Sequence, residues 1–296
     1  MGLDIYQAVT DRILKALEQG TVPWRNPISR GGGDEWPKNL TSGKPYRGIN
    51  VFLLAMTTWA EGFDSSYWLT YRQAAAKGGQ VRKGEKSSMV VFWKQYETTD
   101  KESGQPTTVP VLRYYRVFNA AQCDGLETPD TPPRTEPFEP LTAAEKIAEG
   151  YVDGPEVQHG GSKAFYRPSQ DLVRMPEPGR FVSREFYYAT LFHELGHSTG
   201  HSKRFNRGLD TQLAPFGSAD YSKEELVAEM ASAFLCAAAG ISPPTIDQAA
   251  AYIDGWRTKL KGDKRLVVAA AGAGQRAADL ILGDEAERSI EPAPRN

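Results

Sequence analysis

Residues 193 to 197 read His193-Glu194-Leu195-Gly196-His197. On an α-helix, positions i and i+4 lie on one face a turn apart, so both imidazoles can offer a ring nitrogen to one metal ion. Glu194 stands beside them as the general base of a metal-assisted hydrolysis. Two imidazoles and a carboxylate with an open fourth position form a common catalytic zinc arrangement. Zinc is therefore the expected ion, with another divalent cation such as manganese as the alternative. The flanks predict the helix. Ser183 is a candidate N-cap, and Tyr188, Leu191, Phe192 and Leu195 make an apolar stripe. Gly200 is expected to end the helix in the left-handed conformation. Gly196, inside the helix, lets another segment approach closely. The chain has four histidines, His159, His193, His197 and His201. Three fall within nine residues, on or just beyond this helix, which argues for a metal site over incidental surface histidines.

Two histidines need a third protein ligand. The metzincin pattern H-E-x-x-H-x-x-G-x-x-H holds through Gly200 and then fails at Lys203. His201 lies two residues earlier and is the alternative ligand. The remaining candidates are carboxylates on a helix predicted from Ser222 to Ala239. Ser222 and Glu225 are expected to form its capping box, and Glu224 to be solvated. Glu229 lies one turn further in on a strongly apolar helix, where a carboxylate is costly unless paired or metal-bound. Glu229-Met230-Ala231-Ser232 also resembles the E-x-x-[SA] segment of gluzincin metallopeptidases, so Glu229 is the expected third ligand. Ala233 stands where a histidine-orienting aspartate or asparagine usually follows, so that contact has to come from elsewhere. His201 and Tyr221 are candidate oxyanion partners. A hairpin over 157 to 166 is the candidate edge strand for holding a peptide.

Around this centre the 296-residue chain reads as two domains. Residues 3 to 19 have the spacing of an amphipathic helix through Ile5, Val9, Ile13 and Leu17, ended by Gly20. The Gly31-Gly32-Gly33 run is a loop. Asn50 and Thr70 are candidate caps of two further helices. Strand-like runs follow at Met89 to Trp93 and Val109 to Phe118, joined by a polar hairpin loop from Thr98 to Thr108. Residues 1 to 126 therefore read as an α+β domain with a small antiparallel sheet. Five prolines among acidic residues mark 127 to 140 as a semi-rigid linker. Residues 141 to 296 form a mainly helical second domain, with Thr142 as its first cap, two helical stretches between Asp247 and Leu282, and a frayed tail from 284.

Net charge is −2 but unevenly shared: 16 Lys+Arg against 12 Asp+Glu up to residue 126, and 19 against 25 after it. Basic residues in the first part are interleaved with aromatics, a composition suited to tracking phosphates and stacking unpaired bases. The candidate contacts are Lys44, Tyr46, Arg47, Trp68, Arg72, Arg82, Lys83, Lys86 and Lys94. No apolar run reaches transmembrane length, and no signal peptide opens the chain. Cys123 and Cys236 form no C-x-x-C pair, so the cytosol is the expected compartment.

Longer motifs carry a family resemblance. Asn39-Leu40-Thr41-Ser42-Gly43-Lys44-Pro45-Tyr46-Arg47-Gly48-Ile49-Asn50, Trp68-Leu69-Thr70-Tyr71-Arg72-Gln73-Ala74 and Gly79 to Lys86 lie in the first half. Tyr166-Arg167-Pro168-Ser169-Gln170-Asp171, His193 to His201 and Glu224 to Phe234 lie in the second. Over nearly its whole length the chain resembles ArdC-type antirestriction proteins, and with them the amino-terminal region of TraC-type plasmid primases. The resemblance implies a single-stranded DNA-binding first domain, extending in principle to duplex DNA, and a zincin-like (gluzincin) metallopeptidase second domain. It further implies protection of incoming plasmid DNA from host restriction during conjugation. The alternative is a metalloprotease acting on one host or plasmid protein, restriction machinery included, with the first domain as recruiter.

Overall fold

Val9, Ile13 and Leu17 of the expected stripe are buried on helix α1 (Ile5–Glu18), with Ile5 half-buried at its start. In the computed structural model, the described residues are 3–25, 36–99, 105–129, 140–209, 218–242 and 250–284. The Gly31-Gly32-Gly33 loop, the tip of the expected hairpin loop, most of the proline-rich linker and the expected tail lie outside them. The protein is α+β and divides into two compact units. Met1–Ala8 and Glu35–Asp130 belong to the first; Val9–Asp34 and Thr131–Ala286 belong to the second. The second unit thus takes in a segment expected in the first domain. The cause lies in α1, whose Thr10 hydroxyl donates to the Lys264 carbonyl at 2.8 Å.

In the first unit, strands β1 (Lys38–Asn39), β2 (Tyr67–Leu69), β4 (Ser88–Thr99) and β5 (Pro106–Asn119) form a sheet ordered β1-β2-β5-β4. β1 is parallel to β2, and the other pairs are antiparallel. A second ladder joins β3 (Gln80–Val81) to β6 (Cys123–Asp124). Thr70 caps α3 (Tyr71–Ala76) as expected, with Gln73 completing a capping box. Asn50 does not cap α2 (Ile49–Glu61), which starts at Gly48 with φ 57°. It sits buried in the first turn instead. Its amide donates to the Val91 carbonyl at 2.8 Å and accepts from the Val91 N–H at 2.7 Å, fastening α2 to β4. Satisfying both backbone groups removes the penalty of burying that amide.

In the second unit, α4 (Pro140–Glu149) opens on proline, which lacks the N–H a first turn leaves unpaired. Thr142 is therefore inside the helix and not its cap. The 157–166 hairpin is also corrected. β7 (Glu156–His159) and β8 (Phe165–Arg167) both flank β9 (Leu172–Met175), parallel and antiparallel respectively. Leu172, Val173 and Met175 are buried, as a central strand requires, whereas β7 is mostly exposed.

Three helices then set up the site: α5 (Arg184–Ser198), α6 (Ala219–Ala239) and α8 (Leu266–Leu282). α7 (Ala250–Gly262) precedes α8. α6 is wedged between its neighbours where glycines remove side chains. A Cβ on Gly196 of α5 would meet the Ala228 Cα and the Ala231 Cβ at 3.2 Å. One on Gly274 of α8 would meet the Met230 Cβ at 2.9 Å and the Val227 carbonyl at 3.0 Å. Gly196→Val is accordingly expected to push α5 from α6 and cost about 1–3 kcal/mol. Thermal unfolding checks this, and an unchanged melting temperature would show that the helices do not meet there. No helix among the described residues is long and apolar enough to cross a membrane.

Candidate metal centre

Ser183 caps α5 as its sequence predicts, accepting the Phe186 N–H, and the helical register puts His193 and His197 one turn apart. Their Nε2 atoms face each other at 3.1 Å. Gly200 does not take the left-handed conformation, because the helix ends at Thr199 with φ −61°. It is needed for space: a Cβ there would meet Leu209 Cδ1 at 2.6 Å and the Arg207 guanidinium carbon at 3.0 Å.

The carboxylate that meets both imidazoles is that of Glu225, whereas the expected Glu229 is held by other partners. Glu225 Oε2 lies 3.7 Å from His193 Nε2, and its Oε1 lies 3.5 Å from His197 Nε2. Among the described residues these three side chains are the group able to hold a metal ion. The donors of a tetrahedral zinc, each at about 2.0–2.1 Å, are about 3.3 Å apart, so the residues present fit a divalent ion. Glu225 is free for this because α6 starts earlier than expected. Ser218 is the N-cap, holding the Tyr221 N–H, and Ser222 lies within the helix. Its hydroxyl donates back to the Ser218 carbonyl. There is no Ser222–Glu225 capping box.

Glu229 has other partners. Arg25 donates to its carboxylate at 2.7 and 3.4 Å, and the Tyr252 hydroxyl donates at 2.8 Å. Burial would raise its pKa, but Arg25, the nearby His193 and Tyr252 hold it below the ordinary carboxylate value. His201 is not in the triad either; it is buried, and its Nδ1 accepts the Lys203 N–H at 3.2 Å.

Glu224, expected in solvent, faces the opposite side of His197 from the triad. Its Oε1 is 3.2 Å from His197 Nδ1, and Arg207 clamps it at 2.7 and 2.8 Å. Arg207 also donates to Thr199 Oγ1 and to the Gly196 carbonyl. This is the histidine-orienting carboxylate that Ala233 could not supply. A carboxylate on Nδ1 fixes which nitrogen faces the ion and raises its basicity. Burial lowers the pKa of His197, but Glu224, joined by the charges of Glu194 and Glu225, more than offsets this and raises it. Burial and the neighbouring His197 push His193 down to about 4.

Glu194 is nearly buried, and burial raises its pKa. The Tyr166 backbone N–H of β8 donates to its carboxylate. β8 is held from behind, since the Tyr166 hydroxyl donates to Asp171, which in turn pairs with the buried Arg204. Tyr221 is near both acids and hydrogen-bonds Glu225. Burial first, and Glu225 second, push its phenol up to about 12.

The candidate nucleic-acid contacts are sorted by burial. Trp68 is fully buried and Tyr46 is 4% exposed, both in the core formed with Leu54, Val90 and Val117. Neither can stack a base, which corrects that part of the set. Lys44, Arg47, Arg72, Lys83, Lys86 and Lys94 are exposed. Arg82 is exposed as well, but it pairs with Glu85 at 3.0 Å and Asp124 at 3.4 Å.

Comparison with known proteins identifies the architecture. Residues 3–118 match the N-terminal domain of anti-restriction factor ArdC, and residues 143–273 match a zincin-like metallopeptidase. An uncharacterized protein, y4eC, of Sinorhizobium fredii (strain NBRC 101917 / NGR234) is 38% identical over 96% of this chain and 93% of its own. Two DNA primases TraC of Escherichia coli are each 38% identical over 97% of this chain, which spans only 20% and 29% of their length. The metal-free crystal structure of antirestriction ArdC from plasmid R388 superposes with a TM-score of 0.76. It is 40% identical, with 95% of this chain and 98% of that one covered. The Mn(II)-bound structure of the same protein gives 0.74 at 39% identity, covering 97% and 100%. Matched almost end to end at this identity, the chain belongs to the ArdC antirestriction family.

Proposed function

We propose that this protein binds single-stranded DNA through its first unit and protects incoming plasmid DNA from host restriction during conjugation. Its second unit acts as a divalent-metal-dependent peptidase in the cytoplasm. The observation that carries the reading is the meeting of His193, His197 and Glu225 donors with Glu194 beside them. The two-unit match to ArdC supplies the antirestriction context. Zinc or manganese suits the donor set; the R388 relative has a Mn(II)-bound form. The bound ion supplies Lewis acidity and a nucleophile at neutral pH. Glu194 takes the nucleophile's proton and delivers it to the leaving amine. Burial favours the protonated form it passes through, while the Tyr166 N–H fixes its direction. Tyr221 keeps its proton at neutral pH and can donate a hydrogen bond to charge developing on the carbonyl oxygen. Glu224 holds the His197 ring in register. β8 is the edge of its three-stranded sheet and suits backbone pairing with an extended peptide.

The test is conjugation into restricting and non-restricting recipients, with and without the protein. The expected result is a gain in transfer confined to the restricting host; equal transfer into both would refute the protective role. In the same assay Glu194→Gln separates the parts. It should keep its metal by elemental analysis while peptide hydrolysis falls by about 10²- to 10⁴-fold. Full protection by this variant would make proteolysis dispensable and leave metal and DNA binding as the working functions.

A further inference from the structure

β4 and β5 form a hairpin of twelve registered pairs, from Ser88↔Val117 to Thr99↔Pro106. Only Phe118 and Asn119 of β5 pair with β2, so all twelve rungs lie beyond the wider sheet as a two-stranded ribbon. Register decides which side chains share a face. Trp93 is opposite Leu112 and Tyr114 is opposite Val91, so Trp93 and Tyr114 are diagonal neighbours on one face. Diagonal positions are about 7–8 Å apart. Val91 and Leu112 are buried on that face, yet Trp93 is 42% exposed and Tyr114 38%. The Trp93 ring meets the Tyr6 ring at 6.4 Å between centroids and keeps the rest of its surface open. Arg116, opposite Met89, is exposed on the same face. The other face carries Lys94 and Arg113, whose cations lie 5.4 and 5.3 Å from the Tyr96 ring. None of these three cations is paired with a carboxylate among the described residues.

Of the exposed rings described in this unit, Tyr71 at 57%, Trp93 at 42% and Tyr114 at 38%, the last two share one ribbon face with Arg116. Trp68 and Tyr46 fill the core of the same unit. Rings on an exposed ladder offer flat faces to unpaired bases, and arginine supplies the backbone contact. A duplex cannot use the rings, because its bases are already stacked.

We infer that the Trp93–Tyr114–Arg116 face of the ribbon is the single-stranded DNA platform, with bases stacked on the two rings and Arg116 on the phosphates. This rests on the DNA-binding reading above and replaces the buried Trp68 and Tyr46 as its stacking element.

The experiment is fluorescence anisotropy of a labelled oligo(dT) and of a labelled duplex, using the full chain. Trp93→Ala and Tyr114→Ala should each weaken oligo(dT) binding by about tenfold, and duplex binding by far less. Trp93→Phe and Tyr114→Phe should restore most of the affinity, because the ring face is kept. Thermal unfolding of all four variants confirms folding, and the phenylalanine pair reads the platform even if an alanine variant is unstable. If the wild-type chain binds oligo(dT) and the alanine variants bind it equally well, the platform is elsewhere and the DNA-binding reading stands. Equal losses on oligo(dT) and duplex would overturn stacking, because a duplex has no free base face to lose. If the wild-type chain binds no oligo(dT) at any salt concentration, the DNA-binding reading fails and this platform fails with it.

Discussion

Glu225→Ala is expected to lower divalent-metal affinity by more than about 100-fold, beyond the 10–100-fold typical of removing a residue that merely supports a ligand. The variant leaves His193 and His197 in place, but two imidazoles alone make an incomplete zinc site. Glu229→Gln should instead keep near-normal metal affinity, since the Glu229 carboxylate is committed to Arg25 and Tyr252. Titration of the metal-free protein against a competing chelator reads both variants together. The reverse ranking would return the ligand role to Glu229. Glu224→Gln is the informative intermediate. It retains an acceptor near His197 Nδ1 but loses the charge that Arg207 clamps.

The sequence carried the first half of this site because its information is local. The i, i+4 spacing of His193 and His197, the Ser183 cap and the small residue at Gly196 all act within one helix. The third ligand depends on where another helix begins and how it is rotated. Reading Ser222 as the cap of α6 assigned Glu225 to the first turn and turned Glu229 toward the metal; the actual cap is Ser218. Four residues of extra helix changed the assignment of every carboxylate on it. Glu224 looked solvated because its partner, Arg207, belongs to a segment with no periodic pattern, brought in over Gly200. The order of the sheet around β9 is hidden in the sequence for a similar reason. Leu172, Val173 and Met175 are a short apolar set interrupted by Arg174, and a central strand cannot be told from its edges until both flanking partners are placed. Aromatic residues in the first unit were legible as a group but not by role. Composition does not separate Trp68, in the core, from Trp93, on the ribbon, whereas register and burial do.

Arg25→Ala should destabilise the second unit by about 2 kcal/mol. Removing one partner from a fully buried ion pair costs about 3–5 kcal/mol, and the Arg25 side chain retains 34% exposure, which screens part of the effect. For a unit of this size, the melting temperature should fall by about 4–8 °C. The loss has two parts. The Glu229 carboxylate loses its cation and keeps the Tyr252 hydroxyl, and the guanidinium no longer lies 3.9 Å over the Tyr252 ring. A double-mutant cycle distinguishes them. If the charge pair dominates, Glu229→Gln in the Arg25→Ala background should recover part of the stability, because a neutral amide no longer demands a cation. If ring packing dominates, the second substitution recovers nothing. Arg25 lies 204 residues before Glu229, in the segment that contact places with the metallopeptidase unit. A fragment starting at residue 141 therefore lacks this cation as well as α1. It should melt below the full chain's second transition. Equal melting of the full chain, the Arg25→Ala variant and the 141–296 fragment would show that the segment is only draped over the unit. A shared loss in both altered proteins would make the first 25 residues an integral part of the peptidase fold.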